Sequence, residues 1–309
     1  MKKKKVLVVM GGNSKEREIS LNSGKQCLKA IKKIGYLTSV FDPKKQDFKK
    51  KNIKNPDIIF NALHGAEGED GIAQSYFEYL KIPYTHSGVI SSMLAMNKHL
   101  SKKIFMKYKI KTPNYLVVRR EKFSTKKVLN QLKKNKIKFP VVLKPISEGS
   151  SIGVKICENK KDFSKNIKNL FIKYNELMLE KFIGGKEIQV AVLNNKALGA
   201  IELRPKRRFY DYKAKYTKAA KTDHIMPAEL NLKKYNEVLK ISEKAHKILN
   251  CRGVSRSDFK FYNNKFYMLE LNTQPGMTAL SLVPEIAAYK GITFENLVKK
   301  IIKDSSINK

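Results

Sequence analysis

Five apolar residues at 6–10 run without interruption, the pattern of a strand buried on both faces, and Gly11-Gly12 ends the run. Helical spacing follows over 20–34, with Leu21, Leu28 and Ile31 among the apolar positions. Residues 38–41 and 58–63 predict further strands, 72–80 a helix, and a short strand lies around Tyr84. Strand and helix in alternation predict a small doubly wound α/β domain over 1–95. Ligands of such a domain gather at the carboxyl ends of its strands, where Gly11-Gly12 and His64-Gly65 stand.

One helix over 91–108 then leads to Thr112-Pro113, a boundary. Strand 115–118, a Lys-rich helix, strands 141–144 and 153–157 around a Gly/Ser loop, another helix and strand 177–182 form a central unit, 96–185. The last unit, 186–309, begins with two antiparallel strands, 187–193 and 197–203. The polar stretch 204–226 is too long for an ordinary connection and predicts either a lid or a disordered segment. Helix 232–249, a strand pair and a final helix around 294–302 complete the chain.

A chain of 309 residues, 42% hydrophobic, has room for two or three real cores. The net charge of +37 points first to nucleic acid or an anionic membrane. Its make-up points away again: 56 lysines and eight arginines are spread along the whole chain, without the Arg forks and interleaved aromatics of a recognition surface. The expectation is no specific nucleic-acid partner, and a field that draws in anionic nucleotides. Cys27, Cys157 and Cys251 are odd in number and scattered, so neither a disulfide framework nor a zinc pair is expected. Lys2 to Lys5 and the apolar run behind them imitate a signal peptide, but the run is too short. No segment is long enough to span a membrane, so a cytoplasmic protein is expected.

Chemistry concentrates in a hairpin near the end. Arg256 and Asp258 share one strand face, as do Glu270 and Asn272 on the next strand. A three-residue turn, Asn263-Asn264-Lys265, would set Asp258 opposite Glu270 and Arg256 opposite Asn272, with Phe259, Phe261, Leu269 and Leu271 toward the core. Hard oxygen ligands of this kind suit Mg²⁺ in company with phosphates. An adjacent Arg and a loop amide suit developing negative charge. Taken alone, the charges equally describe a solvated sheet face.

Glu148-Gly149-Ser150-Ser151-Ile152-Gly153 follows a strand ending in Lys144-Pro145. Glycines and serines there cradle phosphate or simply turn a hairpin; no Walker pattern is present. Glu180-Lys181-Phe182-Ile183 with Glu187 reads either as a charged strand end or as backbone for an adenine edge with a carboxylate for ribose hydroxyls. In Gly11–Ser20, acidic residues entering a helix cap it or hold a substrate ammonium.

Taken in order, the motifs are the 11–20 segment; Leu63-His64-Gly65 with Gly68-Glu69-Asp70-Gly71; Pro83-Tyr84-Thr85 with Ser87-Gly88; and Lys144-Pro145 with 148–151. Tyr210-Asp211-Tyr212 with Lys215-Tyr216, Arg256-Ser257-Asp258-Phe259, and 269–278 with Ser281-Leu282 follow. With them the chain resembles, over essentially its full length, a D-alanine–D-alanine ligase of the ATP-grasp superfamily. The resemblance implies an ATP-grasp fold preceded by the small α/β domain, and formation of D-alanyl-D-alanine for peptidoglycan through a D-alanyl phosphate.

It also implies roles. Asp258, Glu270 and Asn272 hold Mg²⁺, two per site, with Mn²⁺ as an alternative. Lys98, Lys144 and Lys215 neutralise phosphate oxygens, and Ser151, Glu180, Lys181, Phe182, Ile183 and Glu187 complete the ATP site. Arg256 and the Gly276 amide form the oxyanion site, Glu16 takes the first ammonium with His64 nearby, and Ser281 and the Leu282 amide receive the second carboxylate. Tyr216, with Ser150 and Glu16, locks the lid, and argues for an amine as second nucleophile. A homodimer is a family expectation. The chain departs from the pattern at Asn97, where an acidic residue is common, in its short metal hairpin, and at Phe182, where a larger aromatic is usual. A depsipeptide or mixed-dipeptide ligase, and a nucleic-acid binder on the same scaffold, are the competing readings.

Overall fold

A computed structural model describes residues 3–205, 222–278 and 280–307. Three parallel strands form the first sheet, β1 (Lys5–Val9), β2 (Leu37–Phe41) and β3 (Ile58–Asn61), in the order β2-β1-β3. Helices α1 (Arg17–Lys33) and α2 (Lys50–Ile53) connect them, and α3 (Ile72–Tyr79) follows β3. Alternate residues of β1 serve opposite faces: Val6 and Val8 pack with Ile31 of α1, and Leu7 and Val9 with Phe77 of α3. The strand expected around Tyr84 is reduced to single bridges with Ile59 and Ser306.

The helix expected over 91–108 is two helices, α4 (Val89–Met96) and α5 (Lys98–Lys107). Asn97 between them is extended (φ −82°, ψ 97°), and its side chain accepts from the His99 and Leu100 amides. An N-cap thus starts a new helix inside one hydrophobic repeat, which periodicity alone does not reveal.

The second sheet is antiparallel, in the order β4-β7-β5-β6, from β4 (Tyr115–Arg119), β5 (Val141–Pro145), β6 (Lys155–Cys157) and β7 (Glu176–Lys181). Helices α6 (Thr125–Lys134) and α7 (Lys160–Phe171) share a core with Val141, Leu143, Leu177 and Leu179. By alternation, Val142, Lys144 and Glu180 belong to the other face.

Five antiparallel strands form the third sheet: β8 (Lys186–Leu193), β9 (Lys196–Arg204), β10 (Asp223–Ile225), β11 (Val254–Tyr262) and β12 (Lys265–Asn272), ordered β10-β9-β8-β11-β12. Both ends of the stretch expected as a lid are strand, because Arg204 pairs with Asp223, and the rest of it, 206–221, lies outside the described residues. Helix α8 (Leu232–Ile248) covers this sheet, and α9 (Leu282–Tyr289) and α10 (Phe294–Lys303) follow. Val298 and Ile301 of α10 share one core with Ile31 and β1, so the chain's last helix closes on its first.

The β11–β12 hairpin corrects the sequence reading instructively. Its turn has two residues, Asn263-Asn264, both left-handed (φ 47° and 59°), the geometry of a type I′ turn. Alone that sets Phe259 opposite Met268 and would leave Asp258 opposite Leu269, one residue short of Glu270. A bulge between Asp258 and Phe259 restores Asp258↔Glu270 and Arg256↔Asn272. The expected pairs therefore arise from another cause, and Met268, not Leu269, is fully buried in the core. Phe261 is half-buried.

Candidate functional site

Two cavities meet where the three sheets face one another. One is lined by Glu16, His64, Ser150, Arg256, Asn272, Gly276, Ser281 and Leu282. The other is lined by Lys144, Ser151, Glu180, Lys181, Phe182, Ile183, Glu187 and Asp258. Lys98, Glu148 and Glu270 line both and form the shared wall. Every site residue singled out from sequence within the described residues borders one of them. Lys215 and Tyr216 lie outside the described residues.

The first cavity is built around one carboxylate. Glu16 precedes α1, is 5% exposed and accepts a hydrogen bond from the Ser150 hydroxyl. Gly149 makes room for it: a Cβ there would sit 2.8 Å from Glu16 Oε2. Ser150 and Ser151 are left-handed (φ 47° and 60°), strain of about 1–2 kcal/mol per residue that a closely fitted loop has to hold. His64 is fixed on both ring nitrogens, Nδ1 to Glu69 Oε1 (2.9 Å) and Nε2 to Ser23 Oγ (3.2 Å). At the far end, Thr278 N donates to Ser281 Oγ (3.0 Å), and a Cβ on Gly276 would meet that oxygen at 2.8 Å. Gln274 ties this loop to β3, accepting from Asn61 Nδ2 (2.8 Å).

The shared wall is a set of ion pairs. Arg256 grips Asp258 with both prongs, Nε to Oδ1 at 2.7 Å and Nη2 to Oδ2 at 3.0 Å. Lys98 Nζ lies 3.2 Å from Glu270 Oε2 and donates to the Glu148 carbonyl at 2.6 Å. Asn272 Oδ1 accepts from the Gln274 amide (2.7 Å). Among the described residues no three His, Cys, Asp or Glu side chains converge as a self-sufficient metal cage. Two carboxylates and an amide oxygen are the hard donor set Mg²⁺ takes when phosphates supply the remaining ligands.

In the second cavity Glu180 is 1% exposed and bridges Lys144 and Lys102. Burial pulls its carboxyl upward, but the two ammonium groups outweigh that and hold it below the usual carboxylate range. Lys260 sits 3.0 Å from Glu187 Oε2.

Sequence reasoning gave no role to Lys102, Lys260, Gln189, Glu148 or the His64 partners Ser23 and Glu69. Signals existed for some: Lys102 is one helical turn beyond Lys98, and Lys260 continues the alternation of Arg256 and Asp258. Ser23 carries none, because tertiary packing alone brings α1 beside His64.

A family model described as D-ala D-ala ligase C-terminus matches residues 104–303, and one described as D-ala D-ala ligase N-terminus matches 38–87. A D-alanine–D-alanine ligase of Pelagibacter ubique is 55% identical over 99% of both chains. One of Rickettsia felis is 43% identical over 98% of this chain and 92% of its own. Among solved structures, the Bacillus anthracis ligase complexed with ATP superposes with a TM-score of 0.86 at 30% identity, covering 97% of each chain. The VanG D-Ala:D-Ser ligase of Enterococcus faecalis gives 0.84 at 25% identity, over 98% of this chain and 99% of that one. With an ATP-grasp fold and this match along its whole length, the chain belongs to the D-alanine–D-alanine ligase family.

Proposed function

We propose that this protein joins two D-alanines into D-alanyl-D-alanine with ATP, for peptidoglycan precursor synthesis. The observation that carries the reading is the shared wall: a cavity lined by lysines abuts one bounded by a carboxylate at one end and a serine loop at the other. The carboxylate of the first D-alanine attacks the γ-phosphorus, the β–γ bond breaks, and ADP leaves with the electron pair. The amine of the second D-alanine then attacks the acyl phosphate, loses a proton, and phosphate departs. Such transfers depend on positioning and charge neutralisation.

Glu16 takes the first ammonium beside His64, and Ser281 and the Leu282 amide take the second carboxylate. Arg256 and the Gly276 amide face the oxygen that gains charge. Lys98 and Lys144 neutralise phosphate oxygens, Ser151 adds a donor, the 180–183 segment takes adenine and Glu187 the ribose. Lys215 and Tyr216 are proposed from the resemblance alone. Asp258, Glu270 and Asn272 would hold Mg²⁺, two ions per site, which when bound supplies charge neutralisation across the phosphates.

The division into 1–95, 96–185 and 186–309 is proposed to follow the three sheets, with substrates between them. A homodimer is proposed through α3 and α4, whose Ile72, Tyr76, Tyr79, Ile90 and Met93 are exposed, Tyr79 at 83%. No helix among the described residues is long and apolar enough to cross a membrane; a cytoplasmic site is proposed because ATP is the co-substrate. The test is phosphate release with ATP, Mg²⁺ and D-alanine, L-alanine in parallel, and mass detection of product. D-dependent turnover to the dipeptide supports the reading. Turnover only with D-lactate or D-serine as second substrate replaces it by the depsipeptide or mixed-dipeptide alternative.

A further inference from the structure

Lys102 is the one lysine among the largest fully buried side chains of the described residues, and it does not border the nucleotide cavity. Burying an ammonium is costly unless it is paired, and α5 could have turned an apolar residue inward here. Its Nζ lies 3.2 Å from Glu180 Oε1 and 3.4 Å from the Met268 carbonyl, 5.9 Å from the centre of the Tyr115 ring. The other oxygen of the same carboxylate holds Lys144 Nζ, and Lys144 and Glu180 both border the cavity. Two cations thus share one carboxylate under the cavity floor, leaving an excess positive charge where a nucleotide's phosphates are proposed to lie.

We propose that Lys102 is a positioning residue of the nucleotide site: it anchors Glu180 from beneath, so that Glu180 holds the Lys144 ammonium toward the phosphates. The inference rests on the nucleotide reading of this cavity. A neutral side chain at 102 leaves the Glu180 carboxylate with Lys144 alone, and the pair can then collapse into the space Lys102 vacates.

Charge enters as a second, separable sign. Burial pushes the Lys102 ammonium down to about 8, against the attraction of Glu180 and with the repulsion of Lys144. The groups facing it are Glu180 on β7, Lys144 on β5, Glu270 on β12 and Tyr115 on β4; α4 carries no titratable side chain. The Tyr115 phenol is pushed up by burial, and Glu180 is held charged. An anionic ligand favours the protonated lysine, so affinity is full below pH about 8 and declines as pH rises above it.

The test is calorimetric binding of a non-hydrolysable ATP analogue with Mg²⁺, and of adenosine, to the whole protein and to Lys102→Met, between pH 7 and 9.5. Expected is a loss of about tenfold in the variant's affinity for the analogue at pH 7, adenosine and the D-alanine KM within twofold, and a parent affinity that falls up to about tenfold with pH, the limit for one pKa unit of linkage. The variant's profile is expected to be flat. Equal analogue affinity in both proteins, or equal losses for analogue and adenosine, overturns the proposal. If the methionine variant does not fold, Lys102→Gln is measured in its place, with the same two overturning results. Binding of no nucleotide by the parent would overturn the nucleotide reading itself, and the inference with it.

Discussion

Replacing Arg256 separates two jobs that the structure gives one side chain. Its guanidinium holds both oxygens of Asp258, at 2.7 and 3.0 Å, and Asp258 is 4% exposed. Arg256→Met leaves that carboxylate buried without its cation. Breaking such a pair costs about 3–5 kcal/mol, and the lower end applies because 15% of the Arg256 side chain reaches solvent. In the proposed reaction the same group faces the oxyanion, and loss of one such donor lowers kcat about 10²–10³-fold. Arg256→Lys keeps the charge but not the fork, so most of the stability should return while kcat stays at least about tenfold down. Urea unfolding gives the first quantity and phosphate release at saturating substrates the second. Arg256→Met within 1 kcal/mol of the parent in stability and within tenfold in kcat would refute both halves of the reasoning.

Gly149→Ala drives a methyl to within 2.8 Å of Glu16 Oε2, so the KM for the first D-alanine should rise about tenfold with the ATP KM unchanged; initial-rate kinetics separate the two. Asn264→Gly supplies the residue a type I′ turn prefers at a left-handed position and should stabilise the hairpin by about 0.5 kcal/mol in urea unfolding without changing turnover, whereas Asn264→Val should cost about 1–2 kcal/mol. The Asp42 carboxyl is held down to about 2, first by Arg17, against the opposing effect of burial and with help from the Gly12 and Lys44 amides. Its folded value lies below the unfolded one, so its contribution is present above pH about 4 and lost toward pH 2. Allowing for solvent screening it is about 1 kcal/mol, read as the stability difference between parent and Asp42→Asn at pH 5 against pH 2.5.

What the sequence made legible were features written locally. The β1 run, the helical period of α1 and the alternation of Arg256 with Asp258 each depend on neighbours within a few residues. What stayed hidden depends on residues distant in the chain or on backbone detail. The break at Asn97 hides inside a continuous hydrophobic repeat. The hairpin reading reached Asp258 opposite Glu270 by assuming a longer turn, when a two-residue turn and a bulge together give that register. Side-chain identity does not announce a bulge, so the sequence points Leu269 to the core, whereas it borders the second cavity. The sequence places Lys102 one helical turn beyond Lys98 but shows neither of its partners, Glu180 from 78 positions away and the Met268 carbonyl.

The central claim is that a carboxylate in one cavity attacks a phosphate in the other across the wall of Lys98, Glu148 and Glu270. It is tested most directly by D-alanine labelled with ¹⁸O in its carboxylate, with mass analysis of the released phosphate. The account predicts one ¹⁸O atom in each phosphate, transferred when the acyl phosphate breaks down. Phosphate carrying its new oxygen from water, with both labelled atoms kept in unreacted D-alanine, would contradict it.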